Sequence, residues 1–290
     1  VPAQIGQAMK IKSTSAAFLF VMLLPGCGTV VPDLTEFPHD TSQAGAQNMI
    51  QAVVRSVRCQ LQDAITRVVS RDLRRASEIP GGRVYSAFLD NWGAEVAFTF
   101  TIVEKTTISP SALLKPPPAT DFVFNAALGL SGSAEATRIE KMNIFYTVRD
   151  LFRPNGPRCD ASGEQRNGSL LVQNDLKLSD LLYGRILATV LGNADDPEPG
   201  RKNVLSHQVS FQTIASASAT PTWTLVRATV NPNGPFFSTS RDKTHDLLIT
   251  FGPVDRAAGG KSLIPIAEQF HFTSQITSGI SNGFRSAVSQ

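Results

Sequence analysis

The chain has 290 residues, 42% of them hydrophobic and 18% charged, with 27 Lys and Arg against 24 Asp and Glu. Those proportions belong to a globular protein and exclude a disordered acidic or basic chain. A net charge of +3 is too small to argue for nucleic acid, which calls for clustered cationic excess.

The first element in chain order is Lys10 to Cys27, KIKSTSAAFLFVMLLPGC. Two lysines precede an apolar run from Ala16 to Leu24, and Leu24-Pro25-Gly26-Cys27 follows. The run is about nine residues, against the ~20 that a membrane-spanning helix needs. A positive start, a short apolar centre and small residues before a cut site describe a secretory signal. The stretch resembles the export signal and lipobox of bacterial lipoproteins. That resemblance implies cleavage before Cys27, acylation of its sulfur and of the new amine, and a signal peptide over 1–26, with Met9 a candidate start. Gly28 rather than Asp after the cysteine implies sorting to the outer membrane, facing the periplasm. Several acyl chains make such attachment lasting where one does not.

Residues 27–43, with two prolines and several turn formers, read as a tether. Residues 44–290 then form one β-rich periplasmic domain. Loss of Lys10 and Lys12 with the signal leaves about 264 residues, enough for one large domain, and a net charge of about +1. With Cys27 lipidated, Cys59 and Cys159 remain as a pair. An oxidising envelope compartment favours a disulfide between them, closing a loop worth about 4–5 kcal/mol in the chain-entropy model. The alternative is two independent thiols.

From Gln43 to about Arg75, Met49, Ile50, Val53, Val54, Val57, Leu61, Ile65, Val68 and Leu73 recur at three- and four-residue steps, predicting one long amphipathic helix. Arg67, Arg71, Arg74 and Arg75 crowd its last turns, where cations complement the helix dipole or meet anionic headgroups or a partner. Pro80-Gly81-Gly82 ends it. The period then becomes two: Val96, Phe98, Phe100 and Ile102 predict a strand. Ser109 to Thr120 reads as a stiff proline-rich connector. Phe122 to Leu130 reads as a strand that turns at Ser131-Gly132-Ser133 and pairs with a strand through Met142, Ile144, Tyr146 and Val148. Arg153 to Gly168 is a loop carrying Cys159, and Leu170 to Val172 a short strand. Ser179-Asp180 offers a cap for a second helix through Leu191. A hairpin from Leu205, Val209 and Phe211 returning through Trp223 and Leu225 follows. Leu247, Ile249 and Phe251 form a strand stopped by Gly252-Pro253, and Phe270, Phe272 and Ile276 a last strand before a Ser- and Gly-rich tail.

The expected fold class is α+β: mainly antiparallel sheet, as a sandwich or strongly curved sheet, with the long helix packed on it and a shorter second helix. Gly279-Ile280-Ser281-Asn282-Gly283 matches G-x-S-x-G but has no downstream Asp or His to complete a triad. Gly259-Gly260-Lys261-Ser262 lacks the first glycine of a phosphate loop. His39, His207, His245 and His271 show no metal-ligand spacing, and no cofactor is expected. Arg241 to Asp246 is the densest polar cluster, expected to be solvated at a strand start. His245 with Asp242 or Asp246 is the one arrangement with acid/base potential. Phe236-Phe237 on a turn-rich loop reads as a core lid or a contact surface.

The functional expectation is a lipid-anchored cell-envelope protein acting as a non-catalytic binding, accessory or scaffold subunit. It is held to the membrane by its lipid, has an envelope protein partner, and takes no nucleic acid. Arg71, Arg74, Arg75, Phe236 and Phe237 are its candidate partner surface. The alternatives are a periplasmic hydrolase built on His245, and a subunit of an outer-membrane assembly or pore.

Overall fold

The computed structural model describes residues 30–34, 43–114, 126–156, 159, 170–197, 203–224, 228–232 and 234–288. The lipobox with Cys27, Phe122 and Phe124, the triple proline and Leu225 lie outside them. The described chain is α+β, with two antiparallel sheets and a long N-terminal helix. The elements are α1 (Gln43–Glu78), β1 (Trp92–Ile108), β2 (Ser111–Leu114), β3 (Ala126–Gly129), β4 (Gly132–Thr147), α2 (Val148–Leu151), α3 (Leu170–Gln173), α4 (Leu178–Val190), β5 (Leu205–Ala219), β6 (Trp223–Thr224), β7 (Ala228–Val230), β8 (Phe237–Pro253) and α5 (Pro265–Val288). The long strands form one sheet in the order β4-β1-β8-β5; the short ones form another, β3-β2-β7-β6.

The chain divides into two compact units. The larger comprises Asp33–Ile102, Ile139–Thr213 and Lys243–Gln290. Its core is built by strand alternation. On β8, Leu247, Ile249 and Phe251 join Val53, Val57, Leu61 and Ile65 of α1 in one buried cluster, with Val96, Phe98, Phe100 and Ile102 of β1. The even residues of β8 point the other way, toward α5. Thr250 Oγ1 lies 2.7 Å from His271 Nδ1, and a Cβ on Gly252 would come within 2.9 Å of the Ala267 Cβ. Helices thus cover both faces of the sheet in this unit. On the first face α1 packs also against α4, α3 and α2. Gln60 fastens it there, donating to Asn174 O (3.0 Å) and accepting from Leu176 N (2.8 Å).

Several expectations are corrected. Phe270, Phe272 and Ile276 lie in α5, not in a last strand, and Gly279 to Gly283 is helix rather than loose tail. Pro265 at the helix start has the fixed φ that a first turn needs, and the amides of Ala267 and Glu268 bond to Ile264 O (2.8 and 3.1 Å). Leu170 to Val172 is helical because Leu171 and Val172 are buried in the cluster under α1. α4 begins at Leu178, with Lys177 rather than Ser179 or Asp180 at its cap; Lys177 adopts φ 57° and accepts from the amides of Asp180 and Leu181. Among the described residues neither expected hairpin forms: β3 pairs with β2 and β4 lies beside β1, while β5 lies beside β8 and β6 pairs with β7.

The smaller unit comprises Val1–Pro32, Val103–Arg138 and Ile214–Asp242. Within it β2 pairs with β3 (Ser111 opposite Gly129) and with β7 (Ala112 opposite Val230). Asn231 pins this sheet. It is buried, takes φ 54°, exchanges bonds with Ser111 through its amide (2.7 Å) and its side-chain oxygen (3.1 Å), and donates to Pro221 O (2.9 Å). Asparagine is among the few L residues that reach that conformation at low cost.

Candidate functional site

A cleft lies between the C-terminal half of α1 and α4, with a volume of about 410 Å³. Helical spacing places Val68, Arg71, Asp72, Arg75 and Glu78 on one side of α1, with Arg74 beside them, and Tyr183, Ile186, Leu187 and Val190 face them from α4. The Arg71 guanidinium lies 4.5 Å from the centroid of the Tyr183 ring, a cation–π contact. Asp72 is buried and accepts from Ser86 N at 2.7 Å, so its charge is turned to fixing the 3₁₀ turn Ser86–Asn91. The groove therefore has a cationic rim of three arginines, with Glu78 as the opposing charge, over an apolar floor of Val68, Ile186 and Val190.

The arginines were expected at the helix end. α1 continues to Glu78, leaving only Arg75 in the last turn. The dipole effect falls off within that turn, so it accounts for Arg75 and not for Arg71 or Arg74. The latter two are explained better by the groove. Chemically the arrangement suits a ligand or peptide that carries a negative group beside apolar surface; histidine and cysteine are missing from the described residues that line it.

The cluster at Arg241 to Asp246 is not solvated as expected. Lys243, His245 and Asp246 are buried in mid-strand. His245 sits edge-on to Phe100, centroids 5.2 Å apart, and burial, then Lys243, lowers its pKa to about 4. Strand alternation sets His245 on the face of Lys243 and Leu247, and Asp242 and Asp246 on the face of Thr244 and Leu248. Arg241 instead forms an ion pair with Glu104 at 2.7 Å.

A second buried histidine escaped sequence reasoning. His271 of α5 touches Thr250 through Nδ1 and Gln275 Nε2 through its own Nε2 at 2.9 Å. The amide nitrogen of Gln275 can only donate, so the ring is neutral with its proton on Nδ1, donated to Thr250. Burial lowers the His271 pKa to about 4 as well. Only the i, i+4 spacing of His271 with Ala267 and Gln275 signalled its inward position.

Phe236 and Phe237 are half-buried in the smaller unit, where Phe236 O accepts from Ser109 N at 2.9 Å. Cys59 and Cys159 are brought together as a bonded pair, Cα atoms 5.1 Å apart. Among the described residues no group of three or more His, Cys, Asp or Glu is placed to hold a metal, and no helix is long and apolar enough to cross a membrane. No protein-family model matches the chain, and no curated protein matches it significantly.

Proposed function

We propose that this is a lipid-anchored protein of the bacterial cell envelope that works by binding, as an accessory or scaffold subunit. The lipobox-like Leu24 to Cys27 carries the reading: of three cysteines it reserves one for lipid. The remaining two stand at bonding distance, which suits an oxidising compartment. The arginine groove between α1 and α4 serves as the partner surface, taking an acidic segment of an envelope protein. Metabolic labelling with a palmitate analogue tests the anchor. Label is expected on the wild type and lost in Cys27→Ser, with the protein leaving the membrane fraction; equal labelling of both overturns the reading. Binding is tested separately by crosslinking in intact envelopes. A neighbour captured by the wild type and lost in Arg71→Glu/Arg74→Glu is expected.

A further inference from the structure

A helix on the surface of a globular protein ordinarily turns its apolar stripe to the core and its polar side to water. α5 does the reverse. From Ala267 to Ser281 the buried and half-buried positions are Ala267, His271, Ser274, Gln275 and Ser278, none of them a large apolar side chain. The large apolar residues of the same stretch, Phe270, Phe272, Ile276 and Ile280, are all exposed, at 48%, 62%, 48% and 55%. Phe272, Ile276 and Ile280 follow one another at four-residue steps, so they form one row along the outer side. Of Asp, Glu, Lys and Arg, the stretch contains Glu268 alone. An apolar row of this kind, pointing away from the core, marks a contact with something else.

We propose that this row lies in the boundary between headgroups and acyl chains of the bilayer that holds the protein. The proposal rests on the reading of Cys27 as acylated. Leu34 is 1% exposed and belongs to the core cluster of the larger unit, of which α5 is also part. It stands seven residues after Cys27, a length of chain that spans about 25 Å at full extension. So short a leash keeps the larger unit at the membrane surface, with one of its faces against the headgroups. The outer row of α5 has the chemistry for that place, since its rings and branched chains gain by leaving water and bring no charge to desolvate. A second protein is the poorer cover. Four side chains at about half exposure offer roughly 400 Å², about half of what each partner of a stable protein interface buries. The acyl chains supply the lasting attachment, so the row has only to fix the orientation.

The experiment uses the full acylated chain, purified in detergent and reconstituted into phosphatidylcholine vesicles with brominated acyl chains, which quench tryptophan on contact. Phe272→Trp is read as a difference from the wild type, which has two tryptophans of its own. The added emission is expected to fall at least about twofold relative to unbrominated vesicles, and equally at about 1 M salt, because screening acts on charges and this contact has none. Ile280→Trp reads the same row independently, should Phe272→Trp fail to fold. Leu191→Trp, at an exposed position closing α4, is expected to stay unquenched. Adding Ile276→Glu to Phe272→Trp abolishes the quenching, while the protein still floats with the vesicles on its acyl chains. A chain that floats without quenching at either position of the row overturns the proposal and leaves the anchor standing. Quenching at Leu191→Trp equal to that at Phe272→Trp overturns it in the same way. A chain shown by mass spectrometry to carry no lipid at Cys27 overturns the anchor reading, and this proposal with it.

Discussion

Helices α1 and α5 lie on opposite faces of the same sheet in the larger unit, and they use opposite rules. α1 buries its large apolar side chains, Val53, Val57, Leu61 and Ile65, against β1 and β8. α5 turns Ala267 and His271 inward and leaves Phe270, Phe272, Ile276 and Ile280 exposed, Phe272 at 62%. Its contact with the sheet depends on close approach at Gly252 and on polar bonds through Thr250, His271 and Gln275. One face is held by area removed from water, which is tolerant of detail; the other by fit and hydrogen bonding, which is not.

Substitutions on each face test that division, and the largest effect belongs to the α1 side. Phe100→Ala removes a fully buried ring from the main cluster and is expected to cost about 3–5 kcal/mol, read as a lower urea midpoint. On the α5 side Gly252→Ala sets a methyl 2.9 Å from the Ala267 Cβ. A loss of about 1–3 kcal/mol is expected from overpacking. A gain in stability there would show that α5 is not seated closely.

Each face also buries one histidine, and pH separates their contributions. His245 and His271 both titrate near 4 in the fold, from an ordinary 6.5. Above pH 6.5 both are neutral folded or unfolded. Between 6.5 and 4 the unfolded chain takes up protons that the native state refuses, so stability falls as pH falls, by roughly 1.4 kcal/mol per unit for each ring. His271→Asn should remove its own share of that slope, roughly 1.4 kcal/mol per unit, in urea melts repeated across the window. A slope the same as wild type would mean that His271 is protonated in the fold. The smallest effect is expected from Phe272→Ser, within about 0.5 kcal/mol, because the ring is exposed. A cost above 2 kcal/mol would place that ring in a buried contact and break the comparison.

The same contrast explains what could be read from the residues alone. α1 was legible because its apolar residues repeat at helical steps with nothing competing, and the strand through Phe98 and Phe100 because its alternation is clean. α5 was read as a strand since Phe270 and Phe272 alternate, and the signal that decides against it, Ala267, His271 and Gln275 at four-residue steps, is made of small and polar residues. Arg71, Arg74 and Arg75 were visible as a cluster, but their wall of Tyr183 and Ile186 comes from over a hundred residues away.

The sequence by itself determined the α+β class, the long helix and the basic character of the α1 end, because each rests on local period or on counting; it left Cys59 and Cys159 either bridged or as independent thiols. Only the tertiary structure decided which strands are neighbours, that a second helix covers the far face, and that His245 is buried beside Phe100. Those outcomes depend on which distant surfaces remove the most area from water and satisfy the most polar groups, a competition among segments that no local pattern records.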